Sequence, residues 1–491
     1  MATDLFFEDA LTEPSAQSRP VCVALERTLI ATPLFSERVA LLFRQRPWLA
    51  LAFPVWMLSG PSGFKERIAR SSKLDPVFLP YRRSLVEALR VCRAQGRTLV
   101  LAGATDPELA QRVSDHLGLF DLVHVVDTCG IGSPRELLAQ TFPNGFDYIG
   151  NSSRDREALA AATRGFLVGA APSAVSALKD LKHVAVVSHR PSVLRALVKE
   201  LRPHQWAKNA LVLVPALLAE TQTWPKIAEG ALAAGTFSLC ASAGYVFNDL
   251  LDLDADRIHV SKSKRPFASG ALPTVFGFPI FIALLVLSFA LAIGFLPTAF
   301  VAMLAIYFVG TVSYSLFLKR LLLLDVLVLA GLYAHRILSG GIASGVPVSA
   351  WLLGFSMFFF TSLAFAKRFV ELHAMSNDEQ VKNRGYSRVD LPMVTGMGTA
   401  SGYIAALVFM LYVESSNVRA AYREPSLLWL VLPALLYWLG RIWLLAGRGQ
   451  MREDPVKFAL SDKQSLACVA LIGAIAVIAR FTPAWLSAAL H

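Results

Sequence analysis

Residues 248–256 read Asn-Asp-Leu-Leu-Asp-Leu-Asp-Ala-Asp. Asp249, Asp252 and Asp256 are spaced i, i+3, i+7, so a helix would set them on one face while Asp254 points elsewhere. Carboxylates on one stripe repel one another unless a cation neutralises them. Such hard oxygen ligands suit Mg²⁺, which keeps several waters and binds substrate phosphates beside one or two carboxylates. The alternative, a solvated acidic helix end at a membrane surface, would be opposed by anionic headgroups. His259, Lys262, Lys264 and Arg265 follow at once, then Pro266 and Ser269-Gly270. Acids for a metal next to bases for phosphate oxygens are expected of a diphosphate site. Asp249, Asp252 and Asp256, with Asn248, are thus the candidate metal-holding and catalytic residues.

Further charges fall where charge is costly. Lys208 and Arg336 lie inside apolar segments, where an unpaired cation costs several kcal/mol and marks a functional candidate. Lys208, near a segment's start, could also snorkel. Lys367-Arg368-Phe369-Val370-Glu371 closes another apolar run, and the i, i+4 spacing of Lys367 and Glu371 equally allows a helix-end ion pair.

The elements that must position these residues follow from composition. Of 491 residues 55% are hydrophobic and 17% charged, with a mean hydropathy of +0.50. A soluble domain is about 45–50% apolar and about 25% charged. The chain therefore reads as an integral membrane protein with a soluble part, and disorder, collagen-like repeats and a disulfide scaffold are excluded. The net charge of +11 fits Lys- and Arg-biased loops on one side of a membrane, with no nucleic-acid partner. Cys22, Cys92, Cys129, Cys240 and Cys468 form no CxxC pair and read as reduced core residues. The first 20 residues or so are acidic without an apolar run, unlike a signal peptide.

From about 21 to 189, strand-length apolar runs (21–25, 98–102, 122–126, 183–187) alternate with amphipathic segments (81–95, 106–117), as in a doubly wound α/β sheet. Nine spans are expected beyond it, near 208–222, 228–250, 274–294, 298–318, 321–341, 350–370, 392–413, 425–445 and 465–486. The first is short. Lys and Arg crowd alternate loops, which predicts an inner-membrane protein of bacterial type, multi-pass, with the N-terminal domain and the acidic motif cytoplasmic.

Asn248-Asp249-Leu250-Leu251-Asp252-Leu253-Asp254-Ala255-Asp256, with Arg265-Pro266 behind it, resembles the NDxxDxxxD…RP motif of the UbiA superfamily of intramembrane prenyltransferases. The resemblance covers about 195–491 and implies an all-α membrane domain of about nine helices, preceded by an α/β domain over 1–190. In that superfamily Mg²⁺ and a diphosphate sit on two Asp-rich motifs. The second is altered here, reading Lys367-Arg368-Phe369-Val370-Glu371 in place of DxxxD. Arg202-Pro203-His204-Gln205-Trp206-Ala207-Lys208-Asn209, Tyr314-Ser315 with Lys319, and Tyr333 with Arg336 add a likeness to the decaprenyl-phosphate phosphoribosyltransferase branch. The resemblance implies phosphoribosyl diphosphate as donor and a polyprenyl phosphate as acceptor. Arg202, Gln205, Lys208, Asn209, Lys264, Arg265, Tyr314, Lys319, Tyr333, Arg336, Lys367, Arg368 and Glu371 would then bind substrate. Two other functions compete: prenyl transfer to an aromatic acceptor, and a non-catalytic membrane scaffold. Homo-oligomerisation is left open.

The α/β domain resembles a haloacid dehalogenase-like, Rossmann-like phosphatase. Residues 21–30 follow the outline hhhDxDGTL, and Tyr148-Ile149-Gly150-Asn151-Ser152 with Asp155 matches a later motif. Yet Ala24 stands at the nucleophile position, Glu26 at the acid/base position and Arg27 at the glycine, and no lysine is evident near 133–135. No phosphatase activity is expected.

Overall fold

The computed structural model describes residues 19–104, 106–125, 134–219, 223–259, 261–374, 385–416, 418, 422–451 and 454–481. Cys129 and residues 131–133 lie outside them. Packing divides the chain into two compact units: Met1–Leu201 with Tyr245–Phe281, and Arg202–Gly244 with Ile282–His491.

The first unit is built on a parallel sheet of β1 (Val21–Ala24), β2 (Leu99–Ala104), β3 (Leu122–Val125), β4 (Asp147–Gly150), β5 (Arg164–Leu167) and β6 (Val184–Val186). Their order is β3-β2-β1-β4-β5-β6. β1 is buried along its whole length, which is why it reads as a continuous apolar run instead of an alternating one. The helices Arg83–Ala94 and Pro107–Leu117 connect strands, the second capped by Asp106 on the Leu109 amide. The carboxylate of Asp147, fully buried at the start of β4, is neutralised by Arg97 at 2.9 Å and Arg164 at 3.0 Å.

The stretch Tyr245–Phe281 belongs to this unit through specific contacts. Arg44 forks onto both oxygens of Asp254 at 2.9 and 2.7 Å. Arg257 donates to the buried Glu37 carboxylate at 2.9 Å and to the Phe78 carbonyl at 2.7 Å. Gly270 has φ +72°, and a Cβ there would lie 2.8 Å from Ala31 and 2.9 Å from Thr32. Only glycine fits that close turn.

Eight helices among the described residues are long and apolar enough to cross a membrane: Trp224–Leu251, Thr274–Phe295, Thr298–Leu316, Leu324–Ala343, Ala350–His373, Arg388–Val413, Pro425–Gly447 and Lys463–Phe481. The expected ninth, near 208–222, does not form a membrane-length helix among its described residues. It folds as a 3₁₀ stretch, Pro203–Leu213, and one short α-helix, Val214–Leu218. Pro215 denies it a backbone donor, and the polar lead-in fails to supply an apolar length. Within the second unit this stretch packs against Leu324–Ala343 so closely that a Cβ on Gly340 would lie 1.9 Å from the Val212 carbonyl oxygen.

Candidate functional site

In the first unit the helix Trp224–Leu251 ends just ahead of Asp252, and a short helix, Leu253–Ile258, continues the chain. The break changes the expected stripe. Asp249 and Asp256, each 2% exposed, converge on one nitrogen of Arg265, at 3.0 and 2.6 Å. Asp252 instead accepts from Asn248 at 3.1 Å, and Asp254 is taken by Arg44. Burial pushes the Asp256 carboxyl up, against the pull of Arg265. Among the described residues no three His, Cys, Asp or Glu side chains already form a metal cluster. Lys264 is exposed, and its carbonyl accepts from Lys199 at 3.0 Å.

The second unit has its own charged centre. Lys367 and Lys208 both reach Asp454 Oδ2, at 3.1 and 3.4 Å. Asp454 also caps the helix Pro455–Ser461 by accepting from Val456 N at 3.0 Å. Burial alone would raise its carboxyl, but Lys367 and Lys208 outweigh burial and hold it well below the usual carboxylate range. Arg368, its side chain 2% exposed, bonds Glu371 and lies 3.5 Å from Asp325. Its Nε and one terminal nitrogen have no hydrogen-bond partner among the described residues. Asp325 in turn accepts from Tyr386 at 2.8 Å. Tyr314 lies within electrostatic reach of Lys367, Arg368, Asp325 and Glu371. Lys208 also lies 6.0 Å from the centre of the Tyr333 ring.

Other sequence candidates do different work. The Arg336 guanidinium donates to Asn209 Oδ1 at 2.9 Å, the Leu332 carbonyl at 2.7 Å and the Tyr307 hydroxyl at 2.9 Å. It lies over the Tyr307 and Tyr333 rings at 4.9 and 5.3 Å. Asn209 passes the bond on to Ser238 at 3.0 Å. This network holds the 3₁₀ stretch in place and satisfies a cation inside an apolar helix. Arg202, at φ +53°, sets the turn into that stretch, and its carbonyl accepts from Gln205 N at 2.8 Å. Lys319 sits in the 3₁₀ turn Leu318–Arg320. Sequence reasoning missed Asp454 and Tyr386. The Asp454-Pro455 helix start was the one signal for the former.

Eight membrane-length helices with an ion-paired polar centre define the class, a multi-pass helical membrane protein. Residues 210–462 match the model of the UbiA prenyltransferase family, and the chain belongs to that family. It is 34% identical to "Uncharacterized protein y4nM" of Sinorhizobium fredii, over 94% of this chain and 91% of that one. It is 36% identical to "Nodulation protein NoeC" of Azorhizobium caulinodans, over 55% and 88%. It is 29% identical to "Decaprenyl-phosphate phosphoribosyltransferase" of Mycobacterium tuberculosis, over 59% and 97%.

Proposed function

We propose that this family member transfers 5-phosphoribosyl from phosphoribosyl diphosphate to a polyprenyl phosphate, with Mg²⁺. The observation that carries the reading is the charged centre of Lys208, Lys367 and Arg368. Buried Arg368 keeps its Nη2 without a hydrogen-bond partner among the described residues, and a phosphate supplies the oxygen it lacks. The similarity to a relative named for phosphoribosyl transfer supports the same reading.

The donor set of the acidic motif fits a hard divalent ion. Asp249 and Asp256 are buried carboxylates that already share one positive group, and Asp252 adds a third oxygen ligand nearby in sequence. Bound there, Mg²⁺ supplies charge neutralisation to the departing diphosphate. Arg265 and Lys264 bind diphosphate oxygens, while Lys367 and Arg368 hold the ribose 5-phosphate. The bond from the anomeric carbon to diphosphate breaks as an oxygen of the lipid phosphate bonds that carbon. The acceptor is already anionic, so no strong general base is needed. The acidic motif and the N-terminal unit face the cytoplasm on this reading, and the parallel-sheet domain is a haloacid dehalogenase-like relative without phosphatase chemistry, since Ala24 cannot attack phosphorus.

The test is incubation of purified protein with labelled phosphoribosyl diphosphate, Mg²⁺ and polyprenyl phosphates, followed by lipid extraction. A labelled lipid is expected. Transfer from a prenyl diphosphate to an aromatic acid, with no labelled lipid, would overturn the reading.

A further inference from the structure

Residues 47–58 read Pro-Trp-Leu-Ala-Leu-Ala-Phe-Pro-Val-Trp-Met-Leu, twelve positions without a charged side chain. In the first unit they lie between β1 and the helix Arg83–Ala94. They form the 3₁₀ stretch Pro47–Ala52 and the short helix Phe53–Met57, ahead of the helix Gly60–Ser71. Crossing a bilayer takes roughly 20 apolar residues, and a run of about 10–14 belongs either in a core or in a membrane interface. One face of this run is core. Phe53 packs edge-on against Phe43 and Phe64, with ring centres 5.6 and 5.5 Å apart. Leu49 and Trp56 join the same cluster around buried Val39, Leu42 and Ile68. The other face has no such cover. Trp48, Val55 and Leu58 are 63%, 61% and 86% exposed, and Met57 is exposed beside them.

The neighbours of that face identify its occupant. The same cluster takes in Val275, and Phe43 stacks on Phe278 at 4.3 Å. Both belong to the opening turns of Thr274–Phe295, a membrane-length helix. Thr274 fixes that opening by donating to the Ser36 carbonyl at 3.1 Å. Phe278 is about 6 Å along the axis from the helix start, so the rings packed on it are held where a spanning helix enters the bilayer. Arg46 precedes the run and Lys65, Arg67 and Arg70 follow it, all exposed. The one acid among them, Glu66, is held by Arg70 at 2.5 Å. Exposed apolar side chains between basic flanks, a tryptophan among them, suit a segment lying in the plane of an anionic membrane surface. A two-fold contact with a second copy would instead set the same basic flanks against one another.

We propose that residues 47–58 dock on the anionic phospholipid surface at which helix Thr274–Phe295 begins. Trp48, Val55, Met57 and Leu58 enter the boundary between headgroups and acyl chains, and Arg46, Lys65 and Arg67 meet headgroup phosphates. The first unit thereby gains an attachment to the bilayer besides its covalent continuity with the membrane helices. This attachment uses no residue assigned to transfer.

Nitroxide labels on the full chain, in nanodiscs holding one copy, test this. Val55→Cys and Leu58→Cys replace exposed side chains, and Glu87→Cys labels an exposed position on Arg83–Ala94. Protein without an added cysteine gives the background from native thiols. Power-saturation electron paramagnetic resonance compares collision with oxygen, which concentrates in lipid, and with a nickel chelate, which stays in water. In discs of phosphatidylcholine with phosphatidylglycerol, the labels at 55 and 58 are expected to favour oxygen and the label at 87 the chelate. Lys65→Glu combined with Arg67→Glu should shift the label at 58 toward the chelate; both side chains are exposed, so the fold is not at stake. Omitting phosphatidylglycerol should do the same to the unreversed protein. Labels at 55 and 58 that meet the chelate as freely as the label at 87 overturn the proposal. Loss of collision with both reagents places the face inside the chain, and spin–spin broadening confined to two-copy discs places it against a second copy; either result overturns it. Oxygen preference indifferent to both the charge reversal and the anionic lipid overturns the anionic surface as partner.

Discussion

Replacing Arg265 by Gln removes the guanidinium nitrogen that Asp249 and Asp256 share. Two charge-assisted hydrogen bonds disappear, each about 1.5–3 kcal/mol. The buried pair of carboxylates, less than about 6 Å apart, then repel by about 3 kcal/mol at an effective dielectric near 20. Protonation of Asp256 relieves part of this, because burial already holds its carboxyl up and Arg265 is what pulls it down. A carboxyl raised in the folded state takes up protons on folding, so its contribution is present at low pH and lost as pH rises through the folded value. The melting deficit of Arg265→Gln should therefore be several degrees near pH 8 and smaller near pH 5. Mg²⁺ added at the higher pH should recover much of it. The assay is thermal unfolding of detergent-solubilised protein, with and without Mg²⁺, at both pH values. A deficit independent of both pH and Mg²⁺ would refute the view that Arg265 holds the place of a cation between these two acids.

Lys367→Ala should raise the KM for phosphoribosyl diphosphate about tenfold or more while leaving the lipid KM unchanged, since one phosphate contact of about 1.4 kcal/mol is lost; steady-state kinetics with each substrate varied in turn reads the split. Arg44→Ala removes a partly exposed fork on Asp254 and should cost about 1 kcal/mol or less, seen as a small melting shift with turnover within about twofold. Asp462 is held down at about 2, first by the Arg441 hydrogen bonds, and Asp454 is also depressed. Their stabilisation should be complete above about pH 5 and lost as pH falls toward 2, and Arg441→Gln should flatten that acid slope in melting curves.

The sequence exposes what is local. Apolar runs against amphipathic segments reveal the α/β part because a parallel sheet buries both faces of its strands, and β2, β3 and β6 fall within a residue or two of the expected runs. β4 and β5 are harder, since Asp147 and Arg164 open them with charges that make sense only once paired to each other. The acidic motif is legible by spacing, but the helix break at Asp252 is not, so Asp252 and Asp256 were expected on one face with Asp249. Asp454 leaves no more than a helix-cap pattern. Its partner Lys208 is 246 residues away, and a single Asp before Pro looks like any helix cap. Tyr386 is hidden for the same reason, as its bond to Asp325 crosses 61 residues. The missing ninth span reflects a count of apolar letters that does not see Pro215 interrupting the helical ladder.

The clamp between Asn209 and Arg336 also constrains how the molecule is made. The two residues are separated by 127 positions, so a ribosome that has finished the 3₁₀ stretch must translate three later membrane helices before its anchor exists. Until then the nascent segment is too short to be released into lipid as a helix of its own and lacks the backbone of Leu324–Ala343 to lie against. A chain stalled before Gly340 would carry this leading segment without the helix face it packs against.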